Sequence, residues 1–136
     1  MIRLIYVSHA TVPFSTADLD ALLEMSRRNN AARDVTGMLI YRDGDFLQIL
    51  EGPERAVRQT FVHIVADPRH SGLIVLDDTP VSTREFADWW MGFKRIDDDN
   101  VPPGFVDFFS RSFDLASMTA RGSEALLFLR SFRRDA

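Results

Sequence analysis

Hydrophobic and polar positions alternate from the first residues of this chain. Ile2, Leu4, Tyr6 and Ser8 fall on one side of an extended segment and Arg3, Ile5 and Val7 on the other, a period of two that predicts a strand. The period then lengthens. Ser15 followed by Asp18 is a helix-start signal, and Leu19, Leu22, Leu23, Ser26 and Asn30 recur at helical spacing, which predicts a helix over 16–30. Residues 36–41 and 46–50 are two apolar runs around Arg42-Asp43-Gly44-Asp45, where Asp-Gly favours a tight hairpin turn. Gly52-Pro53 ends the second run. Val57, Phe61, Ile64 and Val65 then form a helical stripe that stops before Asp67-Pro68. Residues 73–76 and 86–93 read as two more strands.

The predicted order is strand, helix, strand, strand, helix, strand, strand. That order implies an α+β fold, a ferredoxin-like βαββαββ sandwich with both helices on one sheet face. Past residue 95 the pattern changes. Asp97-Asp98-Asp99-Asn100 is a polar break and Pro102-Pro103-Gly104 opens a new segment, in which Phe105, Phe108, Phe109 and Phe113 recur at helical spacing. A second tail helix is expected after Gly122, with Leu126, Leu129 and Phe132 on one side. The expected organisation is therefore a domain over 1–95 and a C-terminal extension of two short helices over 96–136. The aromatic tail has two open readings: a cover for the sheet's open face, or a partner-binding surface.

Composition narrows the chemistry. The absence of cysteine excludes a disulfide framework, a thiolate metal site and a cysteine nucleophile. A net charge of −4 provides no field that would gather nucleic acid. The opening residues are too interrupted for a signal peptide, and no apolar run approaches the roughly 20 residues that span a bilayer. A cytoplasmic protein with no membrane partner is expected.

The informative anomaly is a set of polar side chains on faces that should be apolar. Gln48 shares a strand face with Phe46 and Leu50, Tyr6 shares one with Ile2 and Leu4, and Ser26 and Asn30 continue the stripe of the first helix. A buried amide or hydroxyl without a partner costs on the order of 1–3 kcal/mol. Such a set either satisfies itself internally or binds a ligand. A planar ligand edged with carbonyl oxygens and ring nitrogens suits amides that both donate and accept.

In order and spacing, six segments resemble the BLUF domains, the flavin-binding blue-light sensors, over roughly residues 1–95. They are Leu4-Ile5-Tyr6-Val7-Ser8, Ser26-Arg27-Arg28-Asn29-Asn30, Thr36-Gly37-Met38-Leu39-Ile40-Tyr41, Phe46-Leu47-Gln48-Ile49-Leu50-Glu51-Gly52, Asp67-Pro68-Arg69-His70, and Arg84-Glu85-Phe86-Ala87-Asp88-Trp89-Trp90-Met91-Gly92-Phe93. The resemblance implies a ferredoxin-like sheet with flavin held between its two helices. Tyr6 then corresponds to the photoactive tyrosine, Gln48 to the switching glutamine, and Trp89 and Met91 to the light-responsive pair of the last strand. Cofactor contacts are implied for Tyr6, Ser26, Asn29, Asn30, Gln48, Arg69 and His70. FAD is the implied ligand, with FMN or riboflavin as alternatives.

The implied function is non-enzymatic: light drives electron and proton transfer from Tyr6 and a hydrogen-bond rearrangement at Gln48. With no output domain expected after the sensor, the signal passes to a separate downstream protein or through a homo-oligomer. Two rival readings are an enzyme on the same scaffold (a haem-degrading oxygenase or a flavin reductase, with His9, His63 and His70 as the imidazoles) and a ligand-binding regulator without photoactivity. An absorption spectrum before and after blue light separates all three.

Overall fold

The computed structural model describes residues 1–42, 44–87 and 91–95. The chain runs β1 (Ile2–Ala10), α1 (Thr16–Arg33), β2 (Thr36–Arg42), β3 (Asp45–Gly52), α2 (Glu54–Ala66), β4 (His70–Pro80) and β5 (Gly92–Arg95), the expected βαββαββ order. The sheet order is β4-β1-β3-β2-β5. The first four strands are antiparallel neighbours, and β5 adds parallel to β2.

Local chemistry explains the boundaries. The Ser15 side chain accepts from the Asp18 N–H while the Asp18 carboxylate accepts from the Ser15 N–H, a reciprocal cap that starts α1. The helix runs three residues past the expected end, to a left-handed cap at Asp34 with φ of 59°. In the β2–β3 hairpin Arg42 pairs with Asp45, and Gly44 takes a φ of 89°, which L side chains rarely adopt. Asp43, the other half of the expected Asp-Gly turn, lies outside the described residues. Gly37 is required by close approach: a Cβ there would sit 1.9 Å from the Ile49 carbonyl oxygen.

One core packs both helices onto one sheet face. Leu19 and Leu23 of α1 and Val57 of α2 meet Leu4, Tyr6, Leu39, Phe46 and Leu50 from the strands. On the other face Ile5, Val7, Ile40, Leu47 and Ile49 are also fully buried, so these strands carry apolar residues on both sides.

Three expectations need correction. Of the strand expected over 86–93, residues 92–93 fall in β5 and 88–90 lie outside the described residues, but Phe86 and Ala87 are not in a strand: the Phe86 N–H donates to the Glu51 carboxylate at 2.7 Å instead of to a strand neighbour. The strand expected over 73–76 is far longer, since its pairing with β1 runs from His70 to Pro80. Val65, assigned to the buried stripe of α2, is 55% exposed because the helix turns it away from the sheet. Trp89, Trp90 and the tail helices expected within 96–136 lie outside the described residues.

Candidate functional site

The β1–β3 ladder pairs Tyr6 directly with Gln48, which puts both side chains on the helix-facing side of neighbouring strands. Tyr6 Oη donates to Gln48 Oε1, and Gln48 Nε2 donates to Met91 Sδ at 3.4 Å. A thioether sulfur can only accept, so the amide nitrogen faces it and the amide oxygen faces the phenol. All three side chains are 5% exposed or less. Burial, reinforced by the Asp67 carboxylate, pushes the Tyr6 phenol well above the usual tyrosine range. Tyr6 therefore keeps its proton at any physiological pH. Its ring is held edge-on by Phe61 at 5.7 Å. Register shifts against β4 fall on both sides of Tyr6 and Val7, a local irregularity of the kind that re-aims side chains at sites.

Above this pair lies a cleft between α1 and α2, with about 790 Å³ of empty space counted to its open mouth. Its floor is Tyr6, Leu39, Phe46 and Gln48. The α1 wall presents Leu22, Met25, Ser26, Asn29, Asn30 and Arg33, which share one side of the helix by their spacing. Thr60, His63 and Ile64 come from α2, and Phe14, Asp67, Arg69 and His70 complete the rim. Of the residues expected at a cofactor, all seven line this cleft: Asn30 buried, Ser26 half-buried, Asn29 exposed toward the mouth. Met91 sits behind Gln48, and Trp89 lies outside the described residues.

The rim is organised by short polar contacts. Arg69 grips the Asp67 carboxylate through Nε and Nη2 at 2.6–3.1 Å and lies 5.9 Å from the Phe14 ring centroid. The guanidinium beside Asp67 holds that carboxyl below its usual range, and the carboxylate raises Arg69 in return. His70 bridges the two layers: Nε2 contacts the Ile64 carbonyl of α2 and Nδ1 lies 2.9 Å from Ser8 Oγ of β1. Because a carbonyl only accepts, Nε2 carries the hydrogen, and in the neutral ring Nδ1 accepts from the Ser8 hydroxyl. The other imidazoles lie apart from this bridge. His9 contacts Asp45 and His63 is exposed on α2.

Sequence reasoning missed Arg33, Thr60, His63 and Asp67 as cleft residues. Following the polar side of α1 one further turn from Asn29 and Asn30 reaches Arg33, and stepping back one turn from Ile64 reaches Thr60. It also missed Arg27, whose Nε donates to the Met91 carbonyl at 3.0 Å. No spacing signal connects two residues so far apart in sequence.

The donor set fits a flavin. Leu22, Leu39, Phe46 and Ile64 offer apolar surface to a flat ring, the amides of Asn30 and Gln48 can serve its polar edge, and Arg33, Arg69 and His63 stand at the mouth where an anionic tail would leave. A family model described as BLUF, sensors of blue light using FAD, matches residues 1–92. The beta subunit of photoactivated adenylate cyclase from Euglena longa is 38% identical over 87 residues, covering 64% of this chain and 10% of that protein. The blue light- and temperature-regulated antirepressor BluF of Escherichia coli (strain K12) is 30% identical over 132 residues, 95% of this chain and 32% of that one. The chain thus spans about a tenth of the cyclase subunit's length. Among solved structures, the dark state of BlrB, a BLUF protein, superposes with a TM-score of 0.76 at 27% identity, covering 99% of this chain and 96% of that one.

Proposed function

The chain belongs to the BLUF family, the sensors of blue light using FAD, and from that premise we propose that Tyr6 and Gln48 are its photoactive pair and that FAD is the flavin it holds. The observation that carries this reading is the hydrogen bond from Tyr6 Oη to Gln48 Oε1 on the floor of the cleft. Asn30, Ser26 and Asn29 would hold the polar edge of the ring, and Arg69, His70 and Arg33 the part nearer the mouth. When bound, the flavin supplies the blue-light absorption and the electron acceptor.

The rest follows from the chain's own atoms. A phenol that has lost an electron is a strong acid, and the group that accepts its hydrogen bond, Gln48 Oε1, is placed to take its proton. Protonated there, the amide donates from both ends and can rotate; the electron and the proton then return to the Tyr6 phenol and leave a neutral amide with its donor and acceptor ends exchanged. Rotation also turns an oxygen toward Met91 Sδ, where an N–H had donated. Two acceptors then face each other, and Met91 is pushed from its place. Trp89 is proposed to respond with it.

As a sensor rather than an enzyme, the chain would pass this change to a separate downstream protein or to a second copy of itself. The sensor unit is proposed as 1–95, with a C-terminal helical extension of two short helices over 96–136. A cytoplasmic location belongs to the same proposal; among the described residues no helix is long and apolar enough to cross a membrane.

The test is the absorption spectrum of the flavin-loaded protein before and after blue light. A reversible shift to longer wavelength is expected, lost in Tyr6→Phe and in Gln48→Leu. An unchanged spectrum in illuminated wild type ends the photoreceptor reading. Chromatography of the released ligand decides FAD against FMN and riboflavin, and light scattering in dark and light reports the oligomer.

A further inference from the structure

At Arg84 the loop after β4 is fastened to one corner of the fold. Arg84 Nη2 donates to the Asp34 carbonyl at 2.9 Å and pairs with the Asp34 carboxylate at 3.1 Å, and its Nη1 donates to Thr36 Oγ1 at 3.2 Å. Glu85 N–H donates to Glu51 Oε2 at 2.8 Å and Phe86 N–H to Glu51 Oε1 at 2.7 Å. Glu51 is fully buried at the end of β3, directly opposite Thr36 in the ladder. The Phe86 ring is 1% exposed. Successive residues 84, 85 and 86 are thus tied to the end of β3, the start of β2 and the cap of α1.

Five residues after Phe86 comes Met91. Its carbonyl accepts from Arg27, its sulfur accepts from Gln48, and Gly92 after it pairs with Met38. An N–H donating to sulfur at 3.4 Å is a weak bond. It cannot by itself hold a side chain in a chosen place, so Met91 stays beside Gln48 only as firmly as its backbone is held: by Arg27 at its carbonyl, by the Gly92–Met38 pairing after it, and by the tie at Glu85 and Phe86 before it. Two backbone N–H groups donating to one ionised carboxylate make a far stiffer tie.

We infer that Glu51 is a positioning residue for the Gln48–Met91 contact: its carboxylate, by fixing the backbone of Glu85 and Phe86, sets where Met91 meets the Gln48 amide. A carboxylate suits this role because both its oxygens accept. A glutamine would turn an NH2 toward one of the two N–H donors. The inference rests on the reading of Gln48 as the light-responsive side chain, but its first test needs no light.

In the dark, flavin-loaded protein is treated with dilute peroxide and methionine sulfoxide is measured residue by residue. Met1, 44% exposed and not part of the cleft lining, is the reactive reference, and Met38, buried to 2% in β2, reports on the sheet. Glu51→Gln is expected to speed oxidation of Met91 by about tenfold with Met38 unchanged, the mark of a local opening. A Met91 that stays protected overturns the inference, and so does a parallel rise at Met38. If Glu51→Gln does not fold, Arg84→Ala decides. It releases the same loop while leaving the carboxylate in place, and about threefold faster oxidation at Met91 alone is expected. In the light, Glu51→Gln and Met91→Ala should each change the rate of dark recovery, and the double variant should match Met91→Ala alone. Additive effects overturn the positioning role. Wild type that shows no light-induced shift defeats the photoreceptor reading and leaves the oxidation result standing.

Discussion

Gln48 and Glu51 lie on the same strand and both are buried, yet they are held in opposite ways. Gln48 faces the helices, and its partners are two side chains, a phenol hydroxyl and a thioether. Glu51 faces the other side of the sheet, and its partners are two main-chain N–H groups. A side-chain partner can rotate away at little cost. A main-chain partner leaves only if the chain moves. The same strand therefore carries a contact suited to switching and, one face over, a contact suited to fixing.

Stability separates the two most strongly. Glu51→Ala strips both N–H groups of their acceptor in a buried place, and at about 1–3 kcal/mol for each orphaned group the loss should be about 3 kcal/mol or more. Urea unfolding followed by circular dichroism measures it. A loss under about 1 kcal/mol would mean that water or another acceptor replaces the carboxylate, and the contrast between the two residues would fail.

Gln48→Leu should cost much less, about 1 kcal/mol, since it orphans only the Tyr6 hydroxyl while adding apolar surface to an apolar floor. Removing both partners sharpens the point. Tyr6→Phe together with Gln48→Leu should be at least as stable as Gln48→Leu alone, because no unsatisfied group remains. A double variant less stable than the single would show that the pair does more than satisfy itself.

The difference between the two residues also marks what the sequence made legible. Gln48, Tyr6, Ser26 and Asn30 stood out because each interrupts an apolar stripe whose period is readable without a structure. Their meeting was not readable: Tyr6 and Gln48 come together through a strand register set by the long-range β1–β3 ladder, with a helix and a strand between them in sequence. Glu51 was overlooked for a plainer reason. It sits on the face carrying Leu47 and Ile49, and a charged residue at a strand end reads as solvent-facing. The apolar residues on both faces of β1 and β3 were the available clue that this side too is buried. The strand expected over 86–93 is missing at Phe86 and Ala87 because of the same residue. Phe86 has strand propensity, but the Glu51 carboxylate takes the amide that a strand would have paired. Tertiary capture outweighed local preference.

A smaller effect, in pH, completes the contrast, because Glu51 titrates and Gln48 does not. Burial pushes the Glu51 carboxyl above its usual range, Glu85 adds to the push, and the N–H bonds from Glu85 and Phe86 with the charge of Arg3 pull only part of the way back. A carboxyl whose folded value is raised holds its proton longer in the folded state than in the unfolded one. Its contribution to stability is then fully present below the ordinary glutamate value and declines as pH rises through the raised one. Asp67 runs the other way: its lowered value adds stability above the ordinary aspartate range that is lost as pH falls. Wild type and Glu51→Gln share Asp67, so the difference between their melting temperatures isolates Glu51. That difference should shift steadily against wild type from the ordinary glutamate range upward and level off once Glu51 is fully ionised. A difference independent of pH would mean that the two N–H bonds cancel the cost of burial, so that Glu51 takes up its proton equally in the folded and unfolded chains.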